Sequence, residues 1–91
     1  MNKVLYKFRW DCGRMGSVGG VFVSTKEEIE KNIGEDVYFG EILGKHSEIY
    51  GVLEESDLNI LTEDQDFIEK CILYGISEIG YNPLKYIGEE G

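Results

Sequence analysis

The feature that most constrains the fold is the segment Lys3–Trp10, where apolar and charged side chains alternate. Val4, Tyr6 and Phe8 fall on one parity, and the charged side chains fall on the other. A period of two predicts a β-strand with one buried face. A chain of 91 residues is long enough for a single domain, so the sequence predicts one domain over residues 1–91, in which the rest of the chain covers that face.

Apolar runs between turn residues predict the remaining strands. After a glycine-rich loop at 11–20, the expected strands are 21–23, 37–43, 48–53 and, as a short edge strand, 58–61. Gly40 and Gly51 lie inside two of these strands. Each predicts a bulge or a close approach of other atoms to the backbone.

Two helix starts carry a capping box, in which a capping hydroxyl is followed three residues later by Glu or Gln. Ser24 with Glu27 predicts the first helix, and Thr62 with Gln65 predicts the second. The element order ββαβββα predicts an α+β fold with an antiparallel sheet of four to five strands. The two helices are expected, most simply, on one face of that sheet.

Charge is divided unevenly along the chain, whose net charge is −9. Residues 1–26 hold five basic residues and one acidic residue, whereas residues 27–91 hold four basic and seventeen acidic residues. The acidic part argues against general nucleic-acid binding, which needs a basic surface. The basic segment favours a local site for a small anion.

Location follows from what the sequence lacks. No apolar run approaches the roughly 20 residues that cross a bilayer, and the first residues are too short and too soon charged for a secretory signal. We therefore expect a cytoplasmic protein without membrane contact. In that reducing compartment Cys12 and Cys71 are expected to be free thiols.

The first candidate binding segment leaves a strand and enters the glycine-rich loop. Arg9 and Arg14 offer forked donors for phosphate, and Trp10 offers a stacking surface for a base. The alternative is a core Trp10 beside two solvated arginines and a flexible loop.

The second candidate segment is the polar turn at Lys45, His46 and Ser47, which could hold a phosphate or a sugar hydroxyl. Tyr50 and Tyr81 could add stacking surfaces. The alternatives are an ordinary hairpin tip and half-buried packing tyrosines.

Catalysis is harder to build from these residues. The chain has one histidine, and no spacing pairs Cys12 with His46 as nucleophile and base. We expect no catalytic residue, no metal ligand and no cofactor. The sequence therefore predicts a binding function.

The segments 10–16, 38–41 with 43–48, and 80–84 resemble the viral sponge proteins of the anti-CBASS type, small proteins met in bacteria and their phages. The resemblance implies a homo-oligomer that sequesters a cyclic dinucleotide or a related nucleotide immune signal without cleaving it, and so counters antiviral defence. The two candidate segments could then meet the phosphates and bases of that ligand. None of the family's binding residues is carried over.

A rival hypothesis is an acidic inhibitor that imitates nucleic acid and blocks a basic protein in a salt-dependent complex. The carboxylates that would supply the charge are Glu27, Glu28, Glu30, Glu54, Glu55, Asp57, Glu63, Asp64 and Asp66. A small bacterial housekeeping protein of the same fold class stays open as a third hypothesis.

Overall fold

The computed structural model describes residues 2–88 and confirms the α+β class. Its strands are β1 (Val4–Asp11), β2 (Ser17–Ser24), β3 (Asp36–Gly40), β4 (Ile49–Val52), β5 (Leu58–Thr62) and β6 (Glu78–Gly80), and its helices are α1 (Lys26–Asn32) and α2 (Gln65–Leu73). An antiparallel sheet has the strand order β5-β1-β2-β6, and β3 and β4 form a separate two-stranded sheet.

The alternation in β1 decides where the core lies. Val4, Tyr6 and Phe8 are buried on one face of the four-stranded sheet, called here the inner face. Ile29 of α1 and Phe39 of β3 join them in the main core. The β3–β4 hairpin therefore packs across the inner face, and the prediction of a single sheet was wrong.

Helix α2 lies on the other, outer face of the sheet. Leu5 has the opposite parity to the core residues of β1 but is also buried, as are Ile68 and Cys71 of α2, which lie outside the main core. The Gln65 side chain donates to the Lys3 carbonyl and accepts from the Lys3 amide, which fixes the start of α2 beside β1. The expectation of both helices on one face was wrong, because both faces of β1 carry apolar side chains.

Two glycines in the predicted loop belong to a strand instead. The loop was expected to reach residue 20, but β2 begins at Ser17. A Cβ at Gly19 would lie 2.9 Å from the Phe8 carbonyl oxygen, and one at Gly20 would overlap the Tyr81 backbone. Gly19 thus permits close packing against β1, and Gly20 permits it beside β6, a strand that the sequence did not predict.

Both helix caps lie later than predicted. Thr25, not Ser24, accepts from the Glu28 amide at 3.2 Å, and Asp64, not Thr62, caps α2. Ser24 and Thr62 are the last residues of β2 and β5, so their backbones are committed to the sheet. Among residues 2–88 the structure has no helix long and apolar enough to cross a membrane.

Candidate functional site

Trp10, for which the sequence left base stacking and core packing open, is half-buried and packs against the core. Its ring lies edge-on to Phe8 at 5.2 Å and to Phe39 at 5.4 Å. Its indole Nε1 donates to Asp57 Oδ2 at 2.8 Å. A Cβ at Gly51 would lie 3.4 Å from the ring, so Trp10 lies close to the backbone of β4. Packing therefore already uses the ring and its donor.

Two of the predicted site residues, Trp10 and Tyr50, line one cavity of about 260 Å³. We call it the hairpin-tip cleft, and its lining residues are Trp10, Asp11, Cys12, Met15, Glu48, Ile49 and Tyr50. The charged side chains among them are the carboxylates of Asp11 and Glu48. Arg14, Lys45 and His46 are exposed but lie outside this lining. The cleft wall is thus acidic where an anion site needs positive charge.

The remaining predicted site residues are dispersed. Strand alternation places Arg9 on the outer face, away from Trp10. The His46 amide donates to Glu41 Oε2 at 2.7 Å, and neighbouring Ser47 is half-buried. Tyr81 packs against Phe39 with ring centres 5.6 Å apart. These positions follow from local packing and do not converge on one point.

Tyr50 differs from the other aromatic candidates because it is 69% exposed. Its ring stacks on Tyr38 with centres 6.3 Å apart, and the Tyr38 hydroxyl donates to Glu48 Oε1 at 2.8 Å. The bond to this carboxylate raises the pKa of Tyr38. Tyr50 therefore presents an open aromatic face at the rim of the hairpin-tip cleft.

A second cavity, of about 240 Å³, lies between α1 and β5. We call it the α1–β5 cleft, and its lining residues are Tyr6, Lys26, Ile29, Glu30, Ile33, Glu55, Leu58 and Ile60. Five of them supply an apolar or aromatic floor, and the three charged ones form the rim. Ile60 is 48% exposed, so part of this apolar lining is open to solvent.

Carboxylates from three segments surround this cleft. Burial is the main cause of the raised pKa of Tyr6, and the charges of Glu63, Glu27 and Glu30 raise it further, while Lys26 lowers it. Lys26 Nζ lies 3.0 Å from Glu63 Oε1. This ion pair places the start of α1 next to Glu63, the residue that follows β5.

Strand β5 gives the cleft a second chemical property. It occupies one end of the sheet order, so β1 pairs with one of its edges, and no strand within residues 2–88 pairs with the other. The backbone groups of an edge strand are a template for another strand. The sequence prediction of a short edge strand at 58–61 is confirmed.

One hydrogen-bonded carboxylate connects the two clefts. Asp57 Oδ2 accepts from both the Trp10 indole and the Glu54 amide, the latter at 2.9 Å. It thereby fixes the 3₁₀ turn Glu55–Asp57, which carries Glu55 to the rim of the α1–β5 cleft. Sequence reasoning named most of these acidic residues as inhibitor charge but did not predict the cleft.

The two cysteines are both free. Cys12 is half-buried in the lining of the hairpin-tip cleft, and Cys71 is buried in α2. Comparison of the chain with family models, curated proteins and solved structures gives no match. The resemblance to sponge proteins therefore stays a prediction.

Proposed function

We propose that the protein is a non-enzymatic binding protein that holds a basic partner protein in the α1–β5 cleft. The observation that carries this proposal is an open cleft with an apolar floor and a rim of two carboxylates, Glu30 and Glu55, and one lysine, Lys26. The cleft lies beside a strand edge that no strand within residues 2–88 pairs with. This is the acidic-inhibitor hypothesis with a specific surface attached to it.

Hydrophobic contact supplies affinity in this proposal, and charge supplies selectivity. Covering the exposed parts of Leu58 and Ile60 stabilises a complex by about 25 cal/mol for each Å² of apolar surface removed from water. The rim carboxylates attract a cationic partner, speed its association and repel nucleic acid. Two ion pairs are formed among the described residues, so most carboxylates retain an uncompensated charge.

The test compares two double variants with the same change in charge. Glu30→Gln/Glu55→Gln neutralises the cleft rim, whereas Glu35→Gln/Glu69→Gln neutralises two exposed residues outside the lining. Partners retained from bacterial lysate at low salt are purified, and their affinities are measured by calorimetry with and without competing duplex DNA.

We expect the rim variant to weaken binding by about tenfold or more, which is about 1.4 kcal/mol. The control variant is expected to change affinity by much less, and duplex DNA is expected to compete. Equal losses in both variants would contradict the proposal, because they would report net charge and not this cleft.

A second candidate function is sequestration of a cyclic dinucleotide at the hairpin-tip cleft. The favouring observation is that Tyr50, which lines this cleft together with Trp10, keeps an exposed aromatic face at the rim. Calorimetry across a nucleotide panel tests it, with Arg14→Ala and Lys45→Ala expected to weaken binding about tenfold and Lys70→Ala as the control.

Chromatography of the released ligand decides between a sponge and an enzyme. Recovery of an unchanged nucleotide supports sequestration, and recovery of a linearised product indicates an enzyme. Absence of binding to every nucleotide in the panel removes this second candidate.

We also propose a cytoplasmic homo-oligomer. Six exposed apolar side chains lie on α2, in the turn that follows and on β6, and we call them the α2–β6 surface: Phe67, Ile72, Leu73, Tyr74, Ile76 and Ile79. Monomers rarely expose apolar patches beyond a few hundred Å², and a stable interface needs about 800 Å² per partner. A second copy would cover this surface.

Light scattering at micromolar concentration tests the oligomer. The unmodified chain should have a mass above that of the 10.4 kDa monomer. Leu73→Ser/Ile76→Ser should return it to the monomer mass, whereas Met15→Ser, which changes an exposed side chain elsewhere, should not. A monomer mass for the unmodified chain would contradict the assembly.

A further inference from the structure

The α1–β5 cleft has a strand edge on one side and a helix on the other. We propose that an extended segment of the partner protein adds to β5 as a further strand of the sheet, with alternate apolar side chains in the cleft and basic residues at both flanks. This inference rests on the proposed function, that the cleft binds a basic protein, and it specifies how the partner is recognised.

The backbone argument comes from the sheet order. Strand β5, Leu58–Thr62, pairs with β1 along one edge only within the described chain, so an added strand would find donors and acceptors along the other. Main-chain hydrogen bonds give affinity in such complexes, and side-chain pockets give specificity. The five residues of β5 can pair with a segment of similar length.

The side-chain argument comes from the alternation in β5. Leu58 and Ile60 pair with Phe8 and Tyr6 of β1, so they lie on the inner face, where α1 forms the opposite wall. Alternate side chains of an added strand would extend the same face. Those side chains therefore enter the apolar cleft, while the intervening ones stay in solvent or over the outer face.

Charge specifies the flanks of the partner segment. Exposed Glu54 and Glu55 precede β5, and exposed Glu63 and Asp64 follow it. Lys26 already pairs with Glu63 at 3.0 Å, so the second group retains the charge of Asp64. A segment with lysine or arginine at both ends complements both groups. A second copy of this chain is disfavoured at this edge, because antiparallel pairing of β5 with itself would bring like charges together.

The experiment uses a synthetic peptide of alternating valine and threonine with two lysines at each end. Two isomers carry backbone N-methyl groups, one on the valines and one on the threonines. In a strand, alternate amides point to opposite edges, so only one isomer blocks the donors that face β5. Calorimetry gives each affinity.

Strand addition predicts that one isomer binds at least tenfold more weakly than the other. It also predicts that Ile60→Ala weakens the parent peptide several-fold, whereas Val52→Ala, an aliphatic change on β4 at the same 48% exposure, does not. Equal affinities of the two isomers would overturn strand addition, as would failure of the parent peptide to bind at millimolar concentration.

These outcomes separate the mode of binding from the proposed function. If the isomers bind equally but Glu30→Gln/Glu55→Gln still weakens binding of a basic partner selectively, strand addition is wrong and the proposed function is supported. If the two isomers differ but the rim variant changes nothing, the charge argument falls instead. If Ile60→Ala lowers the oligomer mass of the peptide-free chain, the occupant is a second copy and the inference is overturned.

Discussion

The two clefts differ in how many of their side-chain and backbone groups already make contacts within the protein. In the hairpin-tip cleft, the half-buried Trp10 packs edge-on against Phe8 and Phe39, and its indole donates to Asp57. In the α1–β5 cleft, Ile60 is half-exposed and one edge of β5 is unpaired in the described chain. Exposed apolar surface and unpaired backbone donors and acceptors therefore indicate a binding site better than residue types alone do.

Electrostatics separates the same two regions. The basic N-terminal segment does not produce a basic cavity, because Arg9 lies on the outer face and Asp11 and Glu48 line the hairpin-tip cleft. Around the α1–β5 cleft, by contrast, the rim holds Glu30 and Glu55 beside Lys26, and Lys26 is paired with Glu63. The position of the charged side chains in space, and not the net charge of a sequence segment, decides which ligand each region suits.

The largest expected effect comes from removing the tryptophan. Trp10→Ala should lower the free energy of unfolding by about 3 kcal/mol, because it removes a large half-buried ring that packs against the core. Tyr50→Ala, at the rim of the same cleft, should cost less than about 1 kcal/mol because that ring is mostly exposed. Urea denaturation measures both losses of unfolding free energy. Similar losses would contradict the claim that Trp10 packs against the core while Tyr50 is mostly in solvent.

A smaller effect should follow from Trp10→Phe, which keeps an aromatic ring but removes the donor to Asp57. We expect a loss of about 1–2 kcal/mol in unfolding free energy. Partner binding should also weaken, because Asp57 holds the turn that carries Glu55. Unchanged binding in a folded variant would show that the two clefts are not linked through this carboxylate.

Sequence reasoning predicted the strands better than the site. The alternation in β1 and the turn residues around β5 are local signals, and both elements are confirmed. The α1–β5 cleft depends on the packing of a helix across a distant strand, which no local pattern encodes. Trp10 was ambiguous for the same reason, since its partners Phe39 and Asp57 are far along the chain.

A spectroscopic prediction sharpens the electrostatic contrast. Burial first, and then nearby carboxylates, raises the pKa of Tyr6 above its ordinary 10.0, so its stabilising contribution is present below pH 10 and lost as pH rises through the folded-state pKa. Lys26→Met should raise that pKa further, whereas Lys85→Met should not. The pKa of Tyr6 is measured by absorbance titration, with Tyr6→Phe as the reference. An unchanged pKa in Lys26→Met would contradict the claim that the Lys26 charge acts on Tyr6.

The smallest effect concerns a pair away from both clefts. Hydrogen bonds from Asn82 and Lys85 lower the pKa of Glu78 from its ordinary 4.5. Its contribution, below about 1 kcal/mol at this exposed site, is therefore present above that pH and lost as pH falls through the folded-state pKa. Thermal unfolding from pH 7 to 3 should show a shallower loss for Glu78→Gln, and parallel curves would contradict the assignment.

Hydrogen exchange with the lysine-flanked peptide tests most directly whether the α1–β5 cleft is the binding surface. Our account predicts that added peptide slows exchange of backbone amides in β5, Leu58–Thr62, and leaves 12–15 and 45–50 unchanged. Protection confined to those two loops, with β5 exchanging at its unbound rate, would contradict it and assign binding to the hairpin-tip cleft.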